Sequence, residues 1–247
     1  MKNKKPELLA PIQDFMSLQT AIDAGADAVY FGVRGLNMRA GAKNFEVKDL
    51  KKIVKIAHSK HVRVFLALNT IIYESELKKV ERVLKVAKLA GVDAIICWDM
   101  AVVKMAHKLG HEIHLSTQAS VSNSESAKFY HKVGITRIIL ARECSLDDIK
   151  KIKKNPLFIS PSGRGRQLEV EIFIHGAMCV SESGRCFLSE YLYGKSANRG
   201  ECLQPCRRKY LIKQIDGDEE FELGEDYVLS PKDLCALPLM IIFFPGA

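Results

Sequence analysis

The sequence lacks an apolar run of the length that a membrane-spanning helix needs. No stretch of its 247 residues approaches the roughly 20 apolar residues of a membrane span. The amino terminus, MKNKKPELLAP, carries basic residues but no apolar segment long enough for a secretory signal peptide. These two absences predict a cytoplasmic location, where clusters of cysteine are more typical of metal or redox chemistry than of structural disulfides.

The common motifs of hydrolases are also absent. The sequence contains no HExxH helix of a zinc protease and no G-x-S-x-G turn that would expose a serine nucleophile. Its late cysteines are not spaced in the short C-x2-C pairs that are typical of zinc ribbons. One hydrolytic arrangement stays open, a pairing of a cysteine with a histidine such as Cys179 with His175.

Acidic residues are outnumbered by basic ones. The chain has 29 Asp and Glu against 37 Lys and Arg, which gives a formal net charge of +8. This excess favours a polyanionic partner such as RNA, although solvated Lys-rich helix faces would explain it equally well. Hydrophobic residues make up 47% of the chain, which is enough for a sizeable core and excludes a disordered protein.

One phrase recurs along the chain, as AGADAVYFGV, AGVDAIICWD and VGITRIILAR. In each copy a helical segment meets a Gly, which is expected to end the helix, and an apolar β-rich run follows. Further units of this kind lie between the copies and give seven strands, near residues 8, 29, 65, 95, 114, 139 and 172, the last predicted over Val170–Ile174. Apolar strands alternating with helices indicate a parallel sheet covered on both faces. We predict a β/α (TIM-like) barrel, with a doubly wound open sheet as the alternative.

The carboxyl-terminal part departs from this pattern. Residues 1–176 form the predicted barrel scaffold, and residues 177–247 form a cysteine-rich extension of the same domain. The sequence ends in MIIFFPGA where an eighth strand should follow another helix, so that strand is expected to be missing by truncation and a partner chain to complete the barrel. A loop insertion is predicted at 155–167, which either contacts RNA through Arg164 and Arg166 or is simply solvated.

Polar side chains follow the predicted strands at their carboxyl ends. Because the active site of a β/α barrel lies at this end, these side chains are expected to converge on one functional rim. The candidates are Asn69, Ser116, Thr117, Gln118, Arg142, Glu143 and His175.

Five of the seven cysteines lie in the last part of the chain, at Cys179, Cys186, Cys202, Cys206 and Cys235. Irregular spacings from separate loops are compatible with an iron–sulfur cluster, which needs about four cysteines at one place. We favour Cys179, Cys186, Cys202 and Cys235, with Cys206 in reserve, because Cys202 and Cys206 would both bind only if their loop folded back tightly. Cationic side chains among the cysteines would offset thiolate charge or hold phosphates, and they include Arg199, Arg207 and Arg208.

The run from Glu171 to Ser189 reads E-x-F-x-x-G-A-M-C-x4-G-x-C-x-L-S. This pattern resembles the signature of peptidase family U32, the collagenase-like proteases. The phrases LLAP, DAVYFG, STQ, SANRGECLQPCRRKY and SPKDLC agree with it, so the resemblance covers essentially the whole chain apart from 155–167 and the final residues. SANRGECLQPCRRKY is most similar to the branches of the family that modify RNA.

The resemblance implies an enzyme with a 4Fe–4S cluster that installs hydroxyl groups without molecular oxygen. Its targets would be a tRNA wobble uridine, a cytidine of large-subunit rRNA or a quinone precursor, with prephenate as hydroxyl donor for the RNA enzymes. On this reading Arg142 holds a carboxylate of the co-substrate, and His175 or Glu143 moves protons. Two alternatives remain, a collagenase-like peptidase and a truncated scaffold or subunit of a heteromeric cluster enzyme.

Overall fold

A computed structural model describes residues 5–38, 41, 43–155, 167–182, 185–224 and 227–237. The first two thirds alternate strands with helices. The strands are β1 (Leu9–Pro11), β2 (Ala28–Gly32), β3 (Arg63–Ala67), β4 (Ala94–Cys97), β5 (Glu112–Leu115), β6 (Arg137–Ile139) and β7 (Glu169–Glu171). The helices are α1 (Phe15–Asp23), α2 (Leu50–His58), α3 (Leu77–Ala90), α4 (Met100–Lys108), α5 (Ser124–Lys132) and α6 (Leu146–Lys153). Within these described residues, no helix is long and apolar enough to cross a membrane.

The seven strands form one parallel sheet in the order β1-β2-β3-β4-β5-β6-β7. Each strand pairs with the next along the chain, as in the register of Ala28 opposite Arg63 and of Arg137 opposite Glu169. A doubly wound sheet would reverse its strand order at a switch point, and this sheet does not. The sheet curls into a half-barrel with helices outside, which confirms the predicted β/α class and its seven strands.

The strands bury two different faces because successive side chains point to opposite sides. Val64, Leu66 and Ile95 belong to the larger core, which packs the sheet against the helices. Ala28, Phe65, Ala67, Ala94, Ile96 and Ile139 form a second cluster on the inner face of the curl. Three alanines among these six leave room on the concave side, where side chains of neighbouring strands converge.

The glycines of the recurring phrase end helices as predicted. Gly25, Gly91 and Gly134 have φ values of 83°, 82° and 94°. Gly91 directly follows α3 and closes it with its backbone N–H. A residue with a Cβ would be strained in this left-handed conformation. The Gly that recurs in each copy of the phrase therefore allows the chain to turn from helix to strand.

Charged side chains fill the curl at the amino ends of its strands. Arg137 donates to Glu7 at 2.6 Å and to Glu169 at 2.5 and 2.8 Å, and Glu171 lies 3.3 Å away. Arg63 joins the same network through Glu7 and Glu112, each at 3.2 Å, and His114 meets Glu112 at 3.1 Å. The Arg137–Glu7 pair connects β6 with the segment that precedes β1, so it links the two sides of the curl. We call these seven residues the inner ion cluster.

The chain beyond β7 differs from the prediction in two ways. The seventh strand was predicted over Val170–Ile174, but β7 ends at Glu171, and β8 (His175–Gly176) pairs antiparallel with β11 (Leu234–Cys235) instead. His175 therefore does not sit at the end of a barrel strand. A short helix, α7 (Leu188–Tyr193), and a mostly exposed hairpin of β9 (Tyr210–Lys213) and β10 (Glu220–Leu223) complete the described chain. The final residues, where the missing eighth strand was predicted, and Arg164 and Arg166 lie outside the described residues.

Candidate active site

The rim at the carboxyl ends of β3, β4 and β5 carries a continuous polar network. Asn69 accepts a hydrogen bond from the backbone N–H of Met38 at 3.0 Å, and its side-chain amide donates to Ser116 and Gln118 at 3.3 and 3.4 Å. The Ser116 hydroxyl also donates to Gln118 Oε1. Trp98 donates from Nε1 to the Asn69 carbonyl at 2.9 Å. The structure thus brings three predicted rim residues, Asn69, Ser116 and Gln118, into direct contact.

Thr117 belongs to the same rim but points elsewhere. Its buried hydroxyl donates to the carbonyl of Leu140 at 3.1 Å. That bond joins the ends of β5 and β6, which gives Thr117 a role in holding the rim together. Contact of Thr117 with a substrate stays a prediction.

A cavity of about 270 Å³ opens beside β6. Its lining residues are Arg142, Glu143, Met178, Cys179, Val180, Ser181, Glu182 and Pro231. Arg142 donates to the carbonyl of Ala177 at 3.2 Å and lies over the ring of Phe173, so its guanidinium is oriented from two sides. We call this space the arginine cavity. It unites Arg142, Glu143 and Cys179, whereas the exposed His175 lies on β8 opposite Cys235.

A second cavity, of about 160 Å³, lies beside the Asn69 network. It is lined by Met38, Ile71, Trp98, Gln118, Arg185, Phe187 and Asn198. Arg185 donates to the carbonyl of Gln118 at 2.7 Å, and its guanidinium lies 5.5 Å from the centroid of the Trp98 ring. We call this space the tryptophan cavity. Trp98 follows β4 and could be expected at the rim, but Met38, Ile71 and Asn198 come from loops whose paths no local sequence pattern indicates.

Three of the four favoured cysteines share one local geometry. Cys179, Cys186 and Cys202 each accept a hydrogen bond at sulfur from the backbone N–H two residues further on, at 3.4, 3.4 and 3.3 Å. Donors aimed at sulfur favour the negatively charged thiolate, and such bonds also tune the potential of iron–sulfur clusters. The geometry therefore suits thiolates that bind metal.

The reserve candidate, Cys206, lies near two of these cysteines. Burial raises the pKa of its thiol, and the proximity of Cys202 and Cys179 raises it further. Gln204 adopts a left-handed conformation with φ of 54° and a turn follows at Pro205–Arg207. This turn follows Cys202 and contains Cys206, and binding of one cluster by both cysteines stays a prediction. The choice between Cys206 and Cys235 as the fourth ligand stays open.

Within the ranges that the structure describes, no three His, Cys, Asp or Glu side chains are close enough to share one metal ion. A 4Fe–4S cluster binds each thiolate through a different iron, so its ligands stand further apart than those of one ion. The donor chemistry and the N–H···S bonds fit such a cluster, and the ligand set stays a prediction.

The arginines among the cysteines make contacts within the chain. Arg207 donates to the carbonyl of Met178 at 3.1 Å and to Asp233 at 2.8 Å, so it joins the segments that precede Cys179 and Cys235. Arg199 donates to both carboxylate oxygens of Glu76, at 3.0 and 2.6 Å. Burial alone would raise the pKa of Glu76, but the bonds from Arg199 lower it below its usual value.

These contacts give Arg199 and Arg207 structural roles that the sequence did not indicate. Arg208 is exposed and donates to the Leu203 carbonyl at 3.3 Å. Phosphate binding by any of the three arginines stays a prediction.

A sequence model of peptidase family U32 matches residues 13–241, which confirms the resemblance read from the signature. The half-barrel is similar to a solved structure of a U32 peptidase, with a TM-score of 0.52 at 14% identity over 70% of each chain. That likeness supports the fold.

Relatives in this family carry different names. An uncharacterized protease from Methanocaldococcus jannaschii is 49% identical over 94% of this chain and 56% of its own length. A 23S rRNA 5-hydroxycytidine synthase from Escherichia coli is 39% identical over 92% of this chain and 33% of its own length. A tRNA hydroxylation protein from Bacillus subtilis is 35% identical over 94% of this chain and 54% of its own length. The chain thus spans about half the length, or less, of these relatives.

Proposed function

The chain belongs to peptidase family U32, and we propose that it is an oxygen-independent, iron–sulfur-dependent hydroxylase of an RNA base. The substrate would be tRNA or rRNA, as the names of two relatives indicate. The observation that carries the proposal is the set of N–H···S bonds at Cys179, Cys186 and Cys202. A cysteine nucleophile needs one activated thiol, whereas three such thiols on neighbouring loops suit a cluster.

The cluster would be held by Cys179, Cys186, Cys202 and Cys235, with Cys206 as the alternative fourth ligand. When bound there, it would supply the electron-transfer chemistry that a protein side chain cannot. Arg207 supports this arrangement, because its bonds to Met178 and Asp233 tie the Cys179 loop to the Cys235 strand.

The arginine cavity suits a small acidic co-substrate. Arg142 is held by the Ala177 carbonyl and by the Phe173 ring, and a planar guanidinium so oriented can bind a carboxylate through two N–H groups. Prephenate, a dicarboxylic acid, is the co-substrate that we propose as hydroxyl donor. Glu143 lines the same cavity, whereas His175 lies on β8 and does not line it, so Glu143 is the better placed of the two proton-transfer candidates.

The charge of the chain supports an RNA partner. Its formal net charge is +8, and Lys and Arg near a polyanion release counterions when they neutralise phosphates. Large exposed apolar side chains lie close together in sequence next to the cysteines, at Phe187, Tyr191, Leu192 and Tyr193. Exposed aromatic rings beside basic groups are typical of surfaces that bind single-stranded nucleic acid.

The first experiment measures iron in protein purified without oxygen. We expect a brown protein with about four iron atoms per chain. Cys179→Ala, Cys186→Ala and Cys202→Ala should each lose most of that iron, whereas Cys144→Ala, at a half-buried cysteine outside the proposed set, should keep it. Comparison of Cys206→Ala with Cys235→Ala then identifies the fourth ligand. Full iron in all of the first three variants would contradict the proposal.

The second experiment identifies the substrate. Mass spectrometry of nucleosides from tRNA and rRNA of a deletion strain should show one hydroxylated pyrimidine missing, restored by the wild-type gene and not by the Cys179→Ala gene. Unchanged nucleosides would contradict the RNA assignment.

A peptidase is the second candidate, because a relative at 49% identity is named a protease. It predicts hydrolysis of collagen peptides that survives removal of iron. A colourless, iron-free protein with such activity would establish it. Iron-loaded protein that modifies RNA only after a second chain is added would instead support the subunit of a heteromeric enzyme.

A further inference from the structure

We propose that the tryptophan cavity receives one unstacked pyrimidine base of the RNA, at a place separate from the arginine cavity. The inference rests on the proposed function for the identity of the partner as RNA. It adds the subsite for the base, the ring that the base stacks on and the amide that reads its edge.

The walls of the tryptophan cavity suit a flat aromatic ring. Met38, Ile71, Trp98 and Phe187 supply apolar surface on its sides. The indole of Trp98 is held in place by its bond to the Asn69 carbonyl. Phe187 is 70% exposed, which is a large apolar area to leave in water. A base stacked on the Phe187 ring would cover that area, and base–aromatic stacking is favourable for every nucleobase.

The side-chain amide of Gln118, which lines the cavity, has a defined orientation of its donor and acceptor atoms. The backbone N–H of Met38 can only donate, so Asn69 must accept through Oδ1 and donate through Nδ2. Asn69 Nδ2 and the Ser116 hydroxyl both donate to Gln118 Oε1. Gln118 therefore offers its Nε2 donor to a ligand. A pyrimidine presents carbonyl oxygens on its edge, and such oxygens accept from an amide N–H.

The size of the cavity favours a single ring. Ligand sites commonly measure about 300–1,000 Å³, and this one measures about 160 Å³. A whole nucleotide exceeds it, so the sugar and phosphate would remain outside, on the side of the exposed residues of α7. Asn198 supplies a second carboxamide at the wall, which can match either an acceptor or a donor of the base.

The two cavities differ in what lines them. The tryptophan cavity has mainly apolar and carboxamide side chains beside Arg185, whereas the arginine cavity has Glu143, Ser181 and Glu182 beside Arg142. Arg185 and Arg142 are held in the same way, each by one backbone carbonyl and one aromatic ring. A free aromatic acid is therefore the competitor against which binding of a base in the tryptophan cavity has to be tested.

The test uses Trp98, which is the only tryptophan of the chain. The full-length protein, purified without oxygen, is titrated with a short uridine-rich oligoribonucleotide while the tryptophan fluorescence is recorded. A matched oligonucleotide with one 5-iodouridine is then cross-linked by light and the modified peptide is identified by mass spectrometry. We expect saturable quenching and a cross-link at Trp98 or Phe187.

Phe187→Ala should raise the dissociation constant by about 5- to 150-fold, the range that loss of one stacked base gives. The matched control is Phe129→Ala on α5, a phenylalanine that is 61% exposed at a site outside the cavity and should bind like wild type. Gln118→Glu, which replaces the Nε2 donor by an acceptor, should also weaken binding.

Three outcomes would overturn the inference: cross-links that avoid both aromatic residues, equal affinity in the two phenylalanine variants, or saturable quenching by an aromatic carboxylic acid in place of the oligonucleotide. Binding at Trp98 in a protein that yields no hydroxylated nucleoside would leave the inference standing and refute the proposed reaction. Hydroxylation without contact at Trp98 would do the reverse.

Discussion

Glu171, in the inner ion cluster, allows a direct test of the energetics inside the half-barrel. Its side chain is 17% exposed. Burial, helped by the charges of Glu7 and Glu169, raises the pKa of Glu171 from 4.5 to about 7, although Arg137 opposes the change. A tenfold change in an equilibrium corresponds to about 1.4 kcal/mol, so this difference amounts to about 3 kcal/mol.

The sign follows from proton binding. The folded protein holds the Glu171 proton more tightly than the unfolded chain does, so the stability that this group contributes is complete below pH 4.5. That contribution is lost as the pH rises through about 7. Glu7 acts in the opposite direction: burial would raise its pKa, but the bonds from Arg137 and Arg63 lower it overall, so its contribution is lost on acidification below pH 4.5.

Glu171→Gln keeps the shape of the protonated side chain and cannot ionise. We expect its free energy of unfolding to match that of the wild type near pH 4.5 and to exceed it by about 3 kcal/mol at pH 8. Urea unfolding followed by circular dichroism at both pH values measures the difference. Burial lowers the pKa of His111 and His114, but both histidines are present in both proteins, so the difference reports on Glu171.

Glu222→Gln is the matched control, because the side chain of Glu222 is 68% exposed on β10. It should change stability little at either pH. Two results would refute the reasoning about Glu171: a Gln variant no more stable than wild type at pH 8, or an equal gain at pH 4.5.

Further predictions concern the loops over the half-barrel. Arg207→Ala should release iron during desalting, since it removes two hydrogen bonds from a charged group that together contribute about 2 kcal/mol. Arg208→Ala, at an exposed arginine, should keep its iron. Equal iron retention in the two variants would contradict the role of Arg207 in joining the Cys179 and Cys235 segments. Gly200→Ala should lower the free energy of unfolding by at least about 1 kcal/mol more than Gly194→Ala. Both glycines have positive φ, but only at Gly200 would a Cβ meet backbone, 2.5 Å from the Asn37 carbonyl oxygen, so similar losses in thermal unfolding would refute the clash.

Local patterns predicted the sheet because each strand carries its own signal. Gly25, Gly91 and Gly134 mark the helix ends, and the apolar runs that follow them form β2, β4 and β6. The predicted end of the seventh strand was wrong. The apolar run continues through Ile174, but pairing of β7 with β6 stops at Glu171. The β9–β10 hairpin was missed although Asp216-Gly217, a typical hairpin turn pair, lies between its two strands.

The candidate site was predictable only where it follows strand ends. Asn69, Ser116 and Gln118 were expected at the rim by the barrel rule, and they contact each other there. Arg199 was predicted to offset thiolate charge or hold phosphates, which stays a prediction, but its pairing with Glu76, 123 residues away, was missed. No local pattern indicates such a pairing, because it depends on how the carboxyl-terminal loops cover the sheet.

The two cavities are joined by the segment that bears the cysteines. Ser181 lines the arginine cavity and donates to the carbonyl of Arg185 at 2.6 Å, and Arg185 lines the tryptophan cavity. Cys179 and Cys186 stand at either end of this connection. In the two-substrate reaction that we propose, this segment would carry two of the cluster ligands between the co-substrate beside Arg142 and the base in the tryptophan cavity. A change at Ser181 that breaks its bond to the Arg185 carbonyl should then weaken binding of the oligonucleotide in the tryptophan cavity, which the fluorescence titration would detect.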